Sequence, residues 1–217
     1  MNTFYTEEVI VRNQDWRAPK AVNQEFEVLV WGGGGAGACA SFDNPISGGG
    51  GGSGYMNFGT FKIPEDESVQ IEIGEGGSGI DSTNALPFKN AFVGASGGMT
   101  RFGNYIFASG GQGGNGNMGG EGGYRGGNAG EPGAGNYGSF GIVGDKDGIQ
   151  FMSGGGGSGI NARGRGGSAN MTLGDAGTSG GGAGAFAYKV TSNGTIYRRT
   201  GNGGRGVCLI RYNRISE

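Results

Sequence analysis

Apolar side chains gather into a few short runs. Glu27-Val28-Leu29-Val30-Trp31, Val69-Gln70-Ile71-Glu72-Ile73, Tyr105-Ile106-Phe107 and Val207-Cys208-Leu209-Ile210-Arg211-Tyr212 are rich in β-branched and aromatic residues, and the second alternates apolar and polar positions with period two. Each predicts a short strand. Phe58 to Ile63 and Phe102 to Ala108 add strand-like material, and Phe186 to Ile196 predicts a hairpin turning at Asn193-Gly194. There is no run of 18 apolar residues, so no membrane-spanning segment is expected.

Glycine fills the space between these runs. Of 217 residues 57 are Gly, and all of them fall between Gly32 and Gly206, where about one residue in three is Gly. That is the collagen proportion, but the Gly-X-Y register is missing and only five Pro occur, which excludes a collagen triple helix. A hydrophobic content of 34% leaves few large side chains, so no conventional side-chain interior is expected.

Gly/Ser-rich sequence often forms flexible linker, yet the strand-like runs punctuate the glycine throughout and favour an ordered chain. Order then needs compensation for backbone entropy, about 1–2 kcal/mol per residue and more for Gly. Gly favours neither helix nor strand interior. The remaining conformation is the left-handed threefold helix, three residues and about 9.3 Å per turn, whose N–H and C=O groups can bond to neighbours packed at distances only Gly permits. Local rows three apart fit it: Gly110, Gly113, Gly116, Gly119, Gly122, and beside them Gly111, Gly114, Gly120, Gly123, Gly126. The expected fold class is mainly irregular and β, a bundle or sandwich of about ten polyglycine-II helices with short strands at its base and connecting loops at its tip.

The tracts are 32–40, 47–54, 74–79, 94–98, 109–123, 126–138, 153–159, 163–168, 174–184 and 201–206. If the strands flanking the first and last tract share the base and each tract crosses once, connections alternate between ends. Segments 55–73, 99–108, 139–152 and 169–173 then fall at the base, although 139–152 fits neither end cleanly. Segments 41–46, 80–93, 124–125, 160–162 and 185–200 fall at the tip, and they are irregular and rich in aromatic and polar residues. That leaves a segment at 1–25 ahead of a glycine-rich domain at 26–213; the first is an attachment segment only on the family resemblance given below.

Other chemistry is sparse. Sixteen Lys and Arg balance eighteen Asp and Glu at net charge −2, which suggests no nucleic-acid partner. There is no His, the commonest general base and metal ligand, and neither a catalytic constellation nor a metal or cofactor site is expected. Cys39 and Cys208 could pair but make no disulfide framework, and two buried thiols is the simpler reading. Gly32, Gly34 and Gly37 match the dinucleotide fingerprint formally, but another glycine block follows where a helix should. Arg125-Gly126-Gly127 and Arg165-Gly166-Gly167 resemble RNA-binding elements only in isolation. The N-terminal residues lack a secretory signal pattern.

The series Val28-Leu29-Val30-Trp31-Gly32-Gly33-Gly34-Gly35-Ala36-Gly37, Gly48 to Tyr55, Ile71-Glu72-Ile73-Gly74-Glu75-Gly76-Gly77-Ser78-Gly79 and Gly203-Gly204-Arg205-Gly206-Val207-Cys208-Leu209-Ile210-Arg211-Tyr212 resembles the glycine-rich domains of bacteriophage tail and tail-fibre proteins. The plan as a whole resembles the tail-fibre tip adhesins of T-even-like phages. The resemblance implies a non-enzymatic polyglycine-II bundle on the virion, at the distal end of a tail fibre. Its tip loops would bind a bacterial surface receptor, an outer-membrane protein or a glycan, without membrane insertion. Candidate receptor-binding residues are Phe42, Asn44, Asn84, Phe88, Lys89, Tyr124, Arg125, Tyr188, Asn193 and Tyr197. Phe4, Tyr5 and Trp16 are candidates for attachment to a trimeric tail-fibre or baseplate protein. The attachment region is shorter than in those adhesins. Competing readings are an ice-binding protein, which predicts a flat Thr/Ser/Ala face, a disordered RGG-type nucleic-acid binder, and the ligand-binding region of a cell-surface receptor.

Overall fold

The computed structural model describes residues 3–38, 46–79, 81–82, 93–128, 130–136, 138, 141–146, 149–154, 156–159, 181–182, 187–190 and 196–215. These residues are mainly β and irregular, with a single 3-10 turn at Val22–Gln24 and no α-helix among them.

Two antiparallel four-stranded sheets form one end. The first has the order β1 (Thr3–Ile10), β14 (Val207–Ile215), β3 (Glu25–Trp31), β5 (Met56–Lys62). The second has the order β2 (Gln14–Arg17), β6 (Ser68–Glu72), β8 (Thr100–Phe102), β9 (Ile106–Ala108). All four runs singled out by periodicity lie in these sheets. Alternation does the sorting: β6 is exposed at Ser68, Gln70 and Glu72 and buried at Val69 and Ile71.

The inward faces enclose a side-chain core, contrary to the expectation from average composition. Trp16 lies edge-on to Phe26 at 5.3 Å and tilted against Phe102 at 5.6 Å, and Phe26 meets Tyr212 at 5.2 Å. Ile63, Ile71, Val28, Val30 and Ile210 complete the cluster. Its large side chains lie outside the glycine tracts, so averaging over the whole chain hides them. The first 25 residues are built into the same sheets, since β1 pairs with β14 from Thr3↔Ile215 to Ile10↔Cys208 and β2 pairs with β6.

From Gly32 the chain leaves the sheets, and its backbone N–H groups turn through three neighbours in rotation. Gly32, Gly35 and Ala38 donate to Tyr55, Gly52 and Gly49 at 3.0, 2.8 and 2.9 Å. Gly33 and Ala36 donate to Gly98 and Ala95, both at 2.9 Å. Gly34 and Gly37 donate to Gly204 and Gly201 at 2.8 and 3.2 Å. The partner repeats every third residue, so this segment is tied by its N–H groups to three other segments of the chain at once. Carbonyls receive bonds in the same rhythm: Gly111 and Gly114 donate to Gly33 and Ala36, and Gly77 donates to Gly34. A Cβ at Gly35 would overlap the carbonyl of Gln112, and one at Gly51 that of Gly35, which is why these positions are bare.

The order of these bonds gives the course of the chain. Segment 32–38 leaves the sheets and 48–54 returns; 74–79 leaves and 94–98 returns, as expected. The next tract does not cross once. Asn115 and Met118 exchange N–H···O bonds at 3.0 Å about a turn at Gly116-Asn117, with Gly116 at φ 59°. The return limb 119–123 runs beside 48–54, with Gly120 and Gly123 donating to Gly50 and Ser53. The following tract also turns, where Glu131 donates to Asn128, and Ala134 then donates back to Arg125.

Two small sheets cap the far end. One is β10 (Ile142–Lys146), β11 (Ile149–Ser153), β4 (Ile46–Gly48), and the other is β12 (Ala187–Val190), β13 (Ile196–Arg199), β7 (Asp81–Ser82).

Candidate functional site: the end remote from the sheets

The far end is assembled from segments distant in sequence. Arg198 and Arg199 of β13 pair with Ser82 and Asp81 of β7, which brings the described residues of the expected tip segments 80–93 and 185–200 together. The β12–β13 hairpin is present in the expected stretch, with Tyr188 opposite Arg198 and Lys189 opposite Tyr197.

Segment 139–152 belongs here too. β11 runs parallel to β4, Phe151↔Ile46 to Ser153↔Gly48, and Gly154 and Gly157 then donate to Gly48 and Gly51. The two chains therefore enter the glycine layers side by side and in the same direction. Because 48–54 travels toward the sheets, 139–152 lies at the remote end, which corrects its assignment to the base.

The same register moves Tyr124 and Arg125 the other way. Ser53 donates to the carbonyl of Tyr124 and the Ser53 hydroxyl accepts the Tyr124 N–H at 2.8 Å, which sets this turn level with the entry to β5. Tyr124 and Arg125 are thus near the sheets and not among the tip residues. The turn at Gly116-Asn117 reverses the chain once more than was counted and moves Tyr124 and Arg125. The next tract turns twice, at Asn128 to Glu131 and again where Gly138 donates to Gly135, so its two reversals cancel and 139–152 stays displaced to the remote end.

The turn also supplies far-end residues that were missed. Val93 bridges to Asn115, and Val93, Asn115, Asn117 and Met118 are all exposed. Their signal was Asn115-Gly116 itself, a hairpin dipeptide embedded in a glycine tract. Phe42, Asn44, Asn84, Phe88, Lys89 and Asn193 lie outside the described residues, as does Cys39.

The described residues lie between Thr3 and Ile215, and a known family model, a glycine-rich domain, aligns over residues 9–213. The chain belongs to the glycine-rich domain family. No curated protein matches it. The aligned region of this glycine-rich domain starts inside β1 and ends inside β14, so it takes in both sheets as well as the glycine layers.

At the sheet end Phe4 and Tyr5 are exposed on β1, whereas Trp16 is 5% exposed. The Trp16 indole N–H donates to Glu8 at 3.2 Å, and with its ring against Phe26 and Phe102 it has no surface to offer an attachment partner. That removes it from the attachment candidates. Glu8 also accepts the Tyr212 hydroxyl at 2.7 Å. Burial, then this hydrogen bond, pushes Tyr212 up to about 12, and burial followed by the charge on Glu8 pushes the free Cys208 thiol up to about 12. An open groove of about 350 Å³ on the outer face of the second sheet is lined by Gln70, Glu72, Arg101, Asn104 and Tyr105. Among the described residues no three His, Cys, Asp or Glu side chains gather as a metal site would need.

Proposed function

We propose that the protein is a bacteriophage tail-fibre adhesin whose remote end recognises a bacterial surface receptor, an outer-membrane protein or a glycan. In this reading the glycine segments are polyglycine-II helices in a bundle, carried on the virion at the end of a fibre. The threefold rotation of hydrogen-bond partners along 32–38 supports the bundle. A stiff, backbone-bonded shaft that holds irregular loops is suited to recognition, because the loops can vary while the scaffold holds their ends.

The observation that carries the functional reading is the β7–β13 pairing, which joins the described residues of two long aromatic and polar segments, 80–93 and 185–200. Asn84, Phe88, Lys89, Tyr188, Asn193 and Tyr197 belong to these segments, Phe42 and Asn44 to residues 41–46 of the sequence, and Val93, Asn117 and Met118 extend the set. Such loops combine aromatic anchors with adaptable polar groups, a composition common at recognition surfaces.

The test is exchange of segments 80–93 and 185–200 between related phages, scored by host range. Host range is expected to follow these segments. If it follows residues 55–73 or 99–108 instead, or does not change with any exchange, the reading fails.

A further inference from the structure

We propose that β1 is a homotypic docking edge, through which two copies of the chain join antiparallel about a twofold axis at Glu7 and extend the first sheet to eight strands. The inference does not rest on the adhesin reading.

β1 is the outer strand of its sheet, and its pairing with β14 is unbroken by any bulge over eight residues. Among the described residues, no backbone hydrogen bond leads from Thr3–Ile10 to any other chain segment. The opposite edge is different: β5 is approached by β9, where the Asn57 amide donates to the carbonyl of Phe107 at 3.1 Å. The edges of the second sheet are short, four residues in β2 and three in β9.

Natural edges of this length are blunted with Lys, Pro, bulges or free charges. β1 has none of these. Its two charged residues are already partnered, Glu7 by the Arg211 guanidinium of the neighbouring β14 at 2.8 Å, and Glu8 by Tyr212 of β14 and Trp16 of the second sheet. The strand nevertheless exposes Phe4 and Tyr5 at 56% and 66% and Val9 at 55%.

The sequence of the strand selects the occupant. A twofold axis perpendicular to the sheet pairs residues of the same face, so it must centre on one residue. Centred on Glu7, it sets Tyr5 opposite the second copy's Val9 and Phe4 opposite the second copy's Ile10, each pair occurring twice. Aromatic residues opposite β-branched ones are favourable cross-strand pairs. Centred on Thr6, the same strand would set Phe4 and Tyr5 opposite carboxylates. The two central Glu7 side chains each keep their own Arg211, which offsets their mutual repulsion. Phe4 and Tyr5 are thereby assigned to a contact between copies, not to a fibre protein.

The full chain is examined by sedimentation equilibrium over a concentration series, with Tyr5→Lys and Val9→Lys variants. Dimers are expected for the parent chain, with at least a tenfold loss of association in each variant and, in protein dilute enough to be monomeric, unchanged melting. The register is read separately: Glu7→Cys is expected to oxidise to a covalent dimer, while Thr6→Cys and the parent chain are not. A chain that stays monomeric throughout overturns the proposal. So does a dimer indifferent to both Lys substitutions, or one that cross-links through residue 6 and not residue 7.

Discussion

The hydroxyl of Thr100 donates to the carbonyl oxygen of Trp31 at 2.7 Å, and its oxygen accepts the N–H of Gly74 at 3.0 Å. Trp31 ends β3 and Gly74 begins a glycine segment, so one buried side chain ties both where they leave the sheets. Removing the hydroxyl takes a donor from the Trp31 carbonyl and the side-chain acceptor from the Gly74 N–H together. Thr100→Val should cost about 1–3 kcal/mol in denaturant unfolding, and Thr100→Ser should restore most of it. No loss in Thr100→Val, with the loss falling on Thr100→Ser instead, would show that packing of the methyl group, not the hydroxyl, is what matters there.

Glycine positions should divide by what a Cβ would strike. At Gly35 it meets the Gln112 carbonyl, held on both sides by hydrogen bonds, whereas at Gly59 it meets the ring of Phe61. A backbone obstacle cannot turn aside, but a ring can. Gly35→Ala is expected to cost more than about 3 kcal/mol or to prevent folding, and Gly59→Ala to stay within ~1 kcal/mol. Comparable melting temperatures for the two would contradict this account of the glycine layers.

Trp16 and Tyr5, both candidates for attachment on sequence grounds, should behave oppositely. Trp16→Ala opens the centre of the aromatic cluster and should cost about 3–5 kcal/mol. Tyr5→Ala, at an exposed position, should change stability by less than ~0.5 kcal/mol when measured on dilute protein. Unfolding curves for both variants decide the matter.

Cys208 and Tyr212 both hold their protons more tightly in the folded chain. Cys208 rises from 9.0 to about 12, and Tyr212 rises from 10.0 to about 12. Between the unfolded and folded values the native state binds more protons, so raising the pH favours unfolding. Their contribution is complete below about pH 9 and lost as pH climbs toward about 12. Melting temperature should fall across that window, and Cys208 should resist alkylation near pH 8 until the chain unfolds. Rapid alkylation of native protein at Cys208 would refute its burial.

Strands were legible in the sequence because β-branched and aromatic residues concentrate there: Val69 to Ile73 announces its buried face by alternation alone. The remote hairpin was legible as two strand-like runs, now seen as the pairing of Ala187–Val190 with Ile196–Arg199, while the Asn193-Gly194 dipeptide between them lies outside the described residues. What escaped was the turn at Asn115 to Met118, since a run of glycine conceals where a chain reverses when direction is carried by backbone bonding and not by side chains. That omission displaced Tyr124, Arg125 and segment 139–152 to the wrong ends. The aromatic core was missed for the converse reason: Trp16, Phe26, Phe102 and Tyr212 come from four separate stretches, and only pairing brings them together.

The rotation of partners along Gly32 to Ala38 gives these segments something like a reading frame. One inserted residue would turn every later N–H by a third of a revolution, toward the wrong neighbour, and spoil bonds to three chains at once. Three inserted residues would keep the phase but demand matching growth from every segment alongside. Length is therefore frozen inside the layers and free at the remote turns, where the frame ends and begins again. Change in such a molecule is confined to its loops by geometry, before any selection for what those loops do.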